Sequence, residues 1–379
     1  MDTINTSRDQ TIDASSDRYL SQHGSEDAMI TKRRAIPCIE QMVMVLHGPE
    51  VFDSGIAEWL SRVLTPRRML VAGVMARAAA EESGLPCEYP GAPPSVVMRA
   101  LDEPCYLVDQ GKTPESGRIF GEIIASRLGD AGLLQVECAS QEIICWNREA
   151  DGIAMEISMK TGYRVVERVA HPGLLREGYR TIRGCIPGEA VFVNGTVIGK
   201  ATGPEVCLRL EGSTVVPVSG LRVKDHGLEK LQKAGPLDIT RAWCKSGAIR
   251  AKAPVSCGRR ATVGRVLFVD HCGHQVYRMI SEEEICGIVS VGDDTTAVCG
   301  HIGAHMGVPV LGIVDGDCDG IIPSRYAPGS LLAVAQGISD DELGRDVSGI
   351  IPGGTVSWEE CVTRIVEYIG DRARFSRPE

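Results

Sequence analysis

Nowhere in this sequence do lysine and arginine gather into a long run, and the formal net charge is −10. That excludes the electrostatic footprint by which nucleic-acid proteins hold a polyanion. Long hydrophobic runs are missing too. Met42–Leu46 and Met69–Val74 have the length of strands, well short of the roughly 18 apolar residues of a membrane span. No secretory signal pattern is present, which places the expected location in the cytoplasm. The 14 cysteines are scattered, several inside apolar stretches such as Ile143–Trp146, so they read as buried reduced thiols rather than a disulfide framework. Aromatic residues make up only 4% beside 43 glycines and 43% hydrophobic residues, a balance that suits β-α-β units joined by tight turns.

At 379 residues the chain exceeds what one hydrophobic core usually serves. Residues 1–35 mix Ser, Thr, Asp and Arg without apolar periodicity and read as a disordered leader. From Met42 an apolar strand, a Gly-Pro turn and a helix through Ile56–Val63 begin a βα rhythm. It continues through strands at Met69–Val74 and Cys105–Asp109 and helices at Met75–Glu82 and Gly117–Leu128. This predicts a Rossmann-like domain over 36–150, without a G-x-G-x-x-G fingerprint. Short β-rich runs separated by glycine turns predict a small β-rich domain over 151–258, with Asn194-Gly195 at a hairpin. The βα rhythm returns over 259–379, so the expected class is α/β, two Rossmann-like parallel-sheet domains around a small β-rich one.

The chemistry gathers where apolar strands end in acidic residues. Val308–Val314 runs into Asp315-Gly316-Asp317-Cys318-Asp319-Gly320. Carboxyl ends of parallel strands are where ligands bind in open α/β sheets. Asp315, Asp317 and Asp319 repel one another, and a hard divalent cation such as Mg²⁺ is the simplest way to hold them together. The turn matches the start of an EF-hand loop, but Tyr326 stands where the bidentate Glu belongs and a strand precedes it. One strand earlier, Gly292-Asp293-Asp294-Thr295-Thr296 repeats the design. Asp294 is a candidate helix cap, and Thr295 and Thr296 with their amides suit a phosphate.

His271, beside Asp270 at a strand end, is the candidate proton carrier, with Asp293 beside it in the catalytic role. His301 and His305 stand at helical i, i+4 spacing and, with His271, His274 and nearby cysteines, offer an alternative transition-metal site. In the first domain, His47 and Glu50 follow the first strand as further ligand-binding candidates, and Asp53 suits a helix cap. Lys224–Lys230 and Arg241–Gly247 could contribute to a cleft between domains, although mixed charge beside apolar anchors reads first as a solvated face.

The segments His47–Asp53, Gly292–Thr296 and Asp315–Gly320 resemble an archaeal domain-of-unknown-function family, number 2117, found mainly in methanogens. The resemblance spans most of the chain and implies an anaerobic archaeal cytoplasm, without implying an activity. More distantly, the acidic turn is similar to those of Toprim domains and thiamine pyrophosphokinases, which use magnesium; a Toprim domain would carry Glu where this chain has Asp293. The expectation is Mg²⁺-dependent binding or turnover of a phosphorylated small molecule or nucleotide in the C-terminal crevice. A non-catalytic ligand-binding or regulatory protein is the alternative.

Overall fold

Buried parallel strands are continuous apolar runs because helices cover both faces of their sheet, and the first third of the chain has this character. The computed structural model describes residues 38–171, 178–233, 236–240, 242–256, 258, 261–280, 284–323 and 325–378. The expected leader at 1–35 lies outside the described residues, as do Arg241 and the side chain of His274.

The first sheet contains β1 (Val43–His47), β2 (Arg68–Ala72), β3 (Cys87–Glu88), β4 (Cys105–Asp109), β5 (Leu133–Glu137), β6 (Glu142–Trp146) and β7 (Arg164–Arg168). Their spatial order is β3-β2-β1-β4-β5-β6-β7, parallel except where β5 meets β6. Six helices accompany them: α1 (Glu50–Asp53), α2 (Ile56–Leu64), α3 (Val74–Ser83), α4 (Pro94–Ala100), α5 (Pro114–Leu128) and α6 (Gly152–Thr161). Alternate β1 residues serve opposite faces: Met44 and Leu46 join a core with Leu60 of α2, while Val43 and Val45 pack with Ile124 of α5. Helix α5 starts sharply because Thr113 and Ser116 form a reciprocal cap ahead of Pro114. The last strand, β7, lies in the stretch expected to open the β-rich segment, yet it extends this sheet.

The middle of the chain forms two small antiparallel sheets. They contain β8 (Tyr179–Arg183), β9 (Ala190–Val193), β10 (Thr196–Ala201), β11 (Glu205–Glu211), β12 (Thr214–Ser219), β13 (Leu221–Val223) and β14 (Cys244–Ser246), with helix α7 (Asp225–Lys233) after β13. The orders are β13-β10-β9-β14 and β12-β11-β8. Asn194 and Gly195 join β9 to β10 with φ of 49° and 89°, the positive pair that the tight hairpin turn requires.

The last sheet comprises β15 (Val263–Asp270), β16 (Ile285–Val291), β17 (Val310–Val314), β18 (Leu331–Ala335), β19 (Val356–Ser357) and β20 (Ala373–Ser376). Its order is β19-β15-β16-β17-β18-β20, with β15 to β18 parallel and the two edges antiparallel. Helices α8 (Val276–Ile280), α9 (Asp293–Met306), α10 (Asp340–Ser348) and α11 (Trp358–Ile369) cover it.

The three segments share apolar packing. One buried cluster combines Met75 and Ala78 of α3, Phe192 of β9, Val197 of β10, Ile288 of β16 and Ile302 of α9. Residues 37–379 accordingly form one compact unit. A polar tie reinforces it: the fully buried Arg250 binds Asp53 of α1, Glu82 of α3 and His301 of α9.

Candidate functional site

Strands β16 and β17 run side by side, with Val291 level with Ile313, so the residues following each strand share one crevice. Gly292 turns the chain at φ 95° under the ring of His271, and a Cβ there would lie 2.9 Å from His271 Nε2. Asp293 then begins α9, where unpaired amides and the helix dipole favour a carboxylate. Its Oδ2 accepts from the amides of Asp315 at 3.0 Å and Gly316 at 3.2 Å. Asp294 Oδ1 accepts from the amide of Asp319 at 3.4 Å. The first acidic pair thus holds the second acidic turn in place. Burial pushes the Asp293 carboxyl up to about 6 despite those amides, and burial with Asp319 nearby pushes Asp294 up to about 6 as well.

Helix α7 closes the crevice from the opposite side. Lys224 Nζ lies 2.9 Å from Asp317 Oδ2 and 2.7 Å from Asp319 Oδ2. Lys230 Nζ lies 3.8 Å from Asp315 Oδ2 and 3.5 Å from Asp340 Oδ2, and His226 Nε2 lies 3.5 Å from Asp315 Oδ2. Lys224, His226 and Lys230 are therefore a wall of the site rather than the solvated face expected from sequence. Burial acts against the charge on Lys224, but Asp319 and Asp317 outweigh it and raise its pKa. The cleft between α7, the β9–β10 hairpin and the strand ends holds about 40 Å³, and His271, Asp293, Asp294 and Thr295 line it.

A third acidic element comes from the start of α10. Asp340 is fully buried, and its Oδ2 has no hydrogen-bond partner. His271 bridges towards the same helix: Nδ1 is 2.5 Å from Asp270 Oδ1 and Nε2 is 3.5 Å from Asp341 Oδ1. The bond to Asp270 holds the imidazole above its ordinary pKa.

The expected trio of Asp315, Asp317 and Asp319 does not converge on one point. Asp317 and Asp319 are held by Lys224. The groups whose donor atoms lie within 4.8 Å of one another are His226, Asp315 and Asp317; Asp293, Asp315 and Asp340; and His271, Asp340 and Asp341.

The phosphate seat expected at Thr295 and Thr296 is also altered. Thr296 is buried, its hydroxyl 2.8 Å from Ser290 Oγ and its methyl packed where a Cβ on Gly312 would come within 2.2 Å. Thr295 alone lines the cleft, and two carboxylates already crown that helix start.

His47 and Glu50 sit at the first sheet, away from the lining of this cleft. His47 Nδ1 is 2.8 Å from Ala72 O, and its ring stacks on Phe120 at 4.5 Å. Burial pushes its pKa down to about 4. The neighbouring Asp109 is buried and accepts from Gln135 Nε2 at 2.8 Å. His301 and His305 do not form a metal pair: His301 Nε2 meets Arg250 at 3.1 Å, and His305 lies 2.9 Å from Val255 O and 3.4 Å from Glu81. Asp53, expected as a helix cap, binds Arg250 instead. Among the described residues no cysteine forms a disulfide, and none joins a candidate metal cluster. No described helix is long and apolar enough to cross a membrane.

Residues 44–354 match the family described as an uncharacterized protein conserved in archaea, the domain of unknown function numbered 2117. The chain belongs to this archaeal family. Within family 2117 the matched stretch contains every lining residue of the cleft, from Gly195 to Asp319. An uncharacterized protein of Methanocaldococcus jannaschii is 30% identical over 325 residues, covering 80% of this chain and 89% of that protein. No solved structure matches the chain.

Proposed function

We propose that the cleft holds a divalent cation, Mg²⁺ being the first expectation, and takes the phosphate of a small phosphorylated molecule or nucleotide whose remainder stays outside its roughly 40 Å³. The observation that carries this reading is Asp340 Oδ2, a buried carboxylate oxygen without a hydrogen bond, facing Asp293 and Asp315. Burying such a group is costly unless a donor or an ion meets it, and the Lys230 ammonium, 3.5 Å away, makes no hydrogen bond to it. Among the described residues, Lys224 and Lys230 are the only ammonium groups lining the cleft, against Asp293, Asp294, Asp317 and Asp319 in its lining and Asp315 and Asp340 behind. The surplus is negative, which a cation completes; the same lysines are within reach of a phosphate bridged to that cation.

The architecture supports the same reading. In the first sheet the order β3-β2-β1-β4-β5 reverses beside β1, as in Rossmann-like sheets, and in the last sheet the cleft lies at the carboxyl ends of parallel strands. Abundant cysteine without a disulfide among the described residues agrees with a reducing cytoplasm.

The test is a thermal-shift panel of nucleotides and sugar phosphates, with and without Mg²⁺ or Mn²⁺. A ligand at about a hundredfold its Kd adds about 2.7 kcal/mol of stability. We expect stabilisation that needs the cation and is lost in Asp293→Asn, whose amide oxygen still accepts from the turn. No shift with any phosphorylated ligand, cation present or absent, refutes the assignment. Binding without product formation would make the protein a binding module rather than an enzyme.

A further inference from the structure

We infer that the cleft is built for two cations that share carboxylates, with histidine donors suited to a transition ion such as Mn²⁺. This rests on the reading above that the cleft takes a cation, and it goes further by naming the number, the ligands and the class of ion.

The three donor groups overlap. Asp315 belongs both to the group with His226 and Asp317 and to the group with Asp293 and Asp340. Asp340 belongs both to that second group and to the one with His271 and Asp341. Ions at neighbouring positions would therefore be joined through Asp315 or Asp340, the bridging arrangement of two-metal sites whose ions stand about 3.5–4 Å apart.

An independent observation marks the same residues. His226 Nε2, His271 Nε2 and Asp340 Oδ2 are each buried without a hydrogen-bond partner, and each of the three residues belongs to at least one of these groups. Unpartnered buried polar atoms are rare in folded proteins and point to an absent ion or water. Lys230 supplies charge but not that partner, since its ammonium stands 3.5 Å from Asp340 Oδ2 and leaves the oxygen without a hydrogen bond.

The hydrogen bond that would orient one such imidazole is in place as well. Asp270 Oδ1 lies 2.5 Å from His271 Nδ1, which leaves Nε2 as the lone-pair donor, the carboxylate–histidine pattern that orients metal-binding imidazoles. His271 then acts as a ligand rather than as the proton carrier suggested by its position in the sequence. Imidazole nitrogens beside carboxylates favour Mn²⁺, Co²⁺ or Zn²⁺, whereas Mg²⁺ prefers oxygen donors and retains its waters.

The experiment uses the full chain, stripped with chelator and titrated with Mn²⁺ and separately with Mg²⁺. Calorimetry counts the ions, and electron paramagnetic resonance reports whether two Mn²⁺ are coupled. We expect two Mn²⁺ per chain, a coupled spectrum, and affinity about tenfold or more above that for Mg²⁺. His226→Gln, at the more exposed end, should leave one ion and abolish the coupling, while Asp315→Asn, which removes the carboxylate that the His226 group shares with its neighbour, should weaken both. Lys230→Met should tighten Mn²⁺ binding by removing a competing charge. A single uncoupled ion overturns this inference while leaving the cation-dependent ligand site standing. If no ion binds and phosphorylated ligands still stabilise the protein, the two-ion centre and the cation requirement both fail, and only the anion site remains.

Discussion

Removing Arg250 is the sharpest test of what joins the first α/β segment to the last. Its guanidinium has no solvent exposure and makes four bonds to carboxylates: 2.9 and 2.6 Å to Asp53, and 2.8 and 2.7 Å to Glu82. Glu82 is itself only 4% exposed, so Arg250→Met keeps the volume but strands a buried carboxylate. Adding four charge-assisted bonds at about 1.5–3 kcal/mol each would overstate the loss. The carboxylates can take up protons or water, and broken buried pairs lose about 3–5 kcal/mol. That is the expected loss here, against a total stability of roughly 5–15 kcal/mol for a folded protein. Denaturant unfolding at neutral pH measures it, with the slope unchanged if only stability moves. The triple change Arg250→Met, Asp53→Asn and Glu82→Gln should recover most of the loss, because only the half-exposed Lys252 loses a charged partner and no buried carboxylate is stranded. A single variant that costs less than about 1 kcal/mol, or a triple variant no better than the single one, refutes the reasoning.

Two further outcomes follow from groups nearby. Burial first, and Arg250 second, push His301 down to about 4, so it is neutral in the folded chain at neutral pH. Its folded pKa lies below its unfolded one; stability is therefore full above the unfolded value and falls as the pH drops towards 4. The loss is on the order of 3 kcal/mol, and His301→Gln should flatten that acid limb in unfolding curves taken across the window. Parallel curves for the two proteins would show that His301 does not titrate this way. Thr296→Val should cost about 1–2 kcal/mol by leaving the buried Ser290 hydroxyl without its partner. It should leave ligand-induced thermal shifts intact; a lost shift would restore Thr296 to the phosphate seat.

Much of the last sheet is legible in the sequence because buried parallel strands leave no alternation to misread. Ile285–Val291, apart from Ser290, and Val310–Val314 are apolar runs, and each is followed by the acidic residues that mark a strand's carboxyl end. The first sheet's outer strand is harder. Arg164-Val-Val-Glu-Arg168 is half exposed at an edge, so charge and apolar residues mix as they do in loops. The site itself is half legible. Asp293, Asp294, Asp317, Asp319, Thr295 and His271 do face one cleft. Lys224, His226 and Lys230 do not announce themselves, because a charged helix face looks the same whether water or a distant acidic turn lies opposite. The available signal is the acidic turn's own need for counter-charge together with the i, i+4 pair His226 and Lys230. Asp340 hides for a similar reason: an aspartate opening a helix is ordinary, and only tertiary packing over it removes its water. His301 and His305 mislead in the opposite direction, since Arg250 lies in a loop with no periodicity to place it against them.

The cleft's two walls also differ in when they are made. Helix α7, with its lysines, is synthesised before any of the aspartates that face it, and Asp340 and Asp341 come last. A nascent chain therefore carries the basic wall while the acidic wall is still being translated, and no fragment ending before α10 contains a finished site.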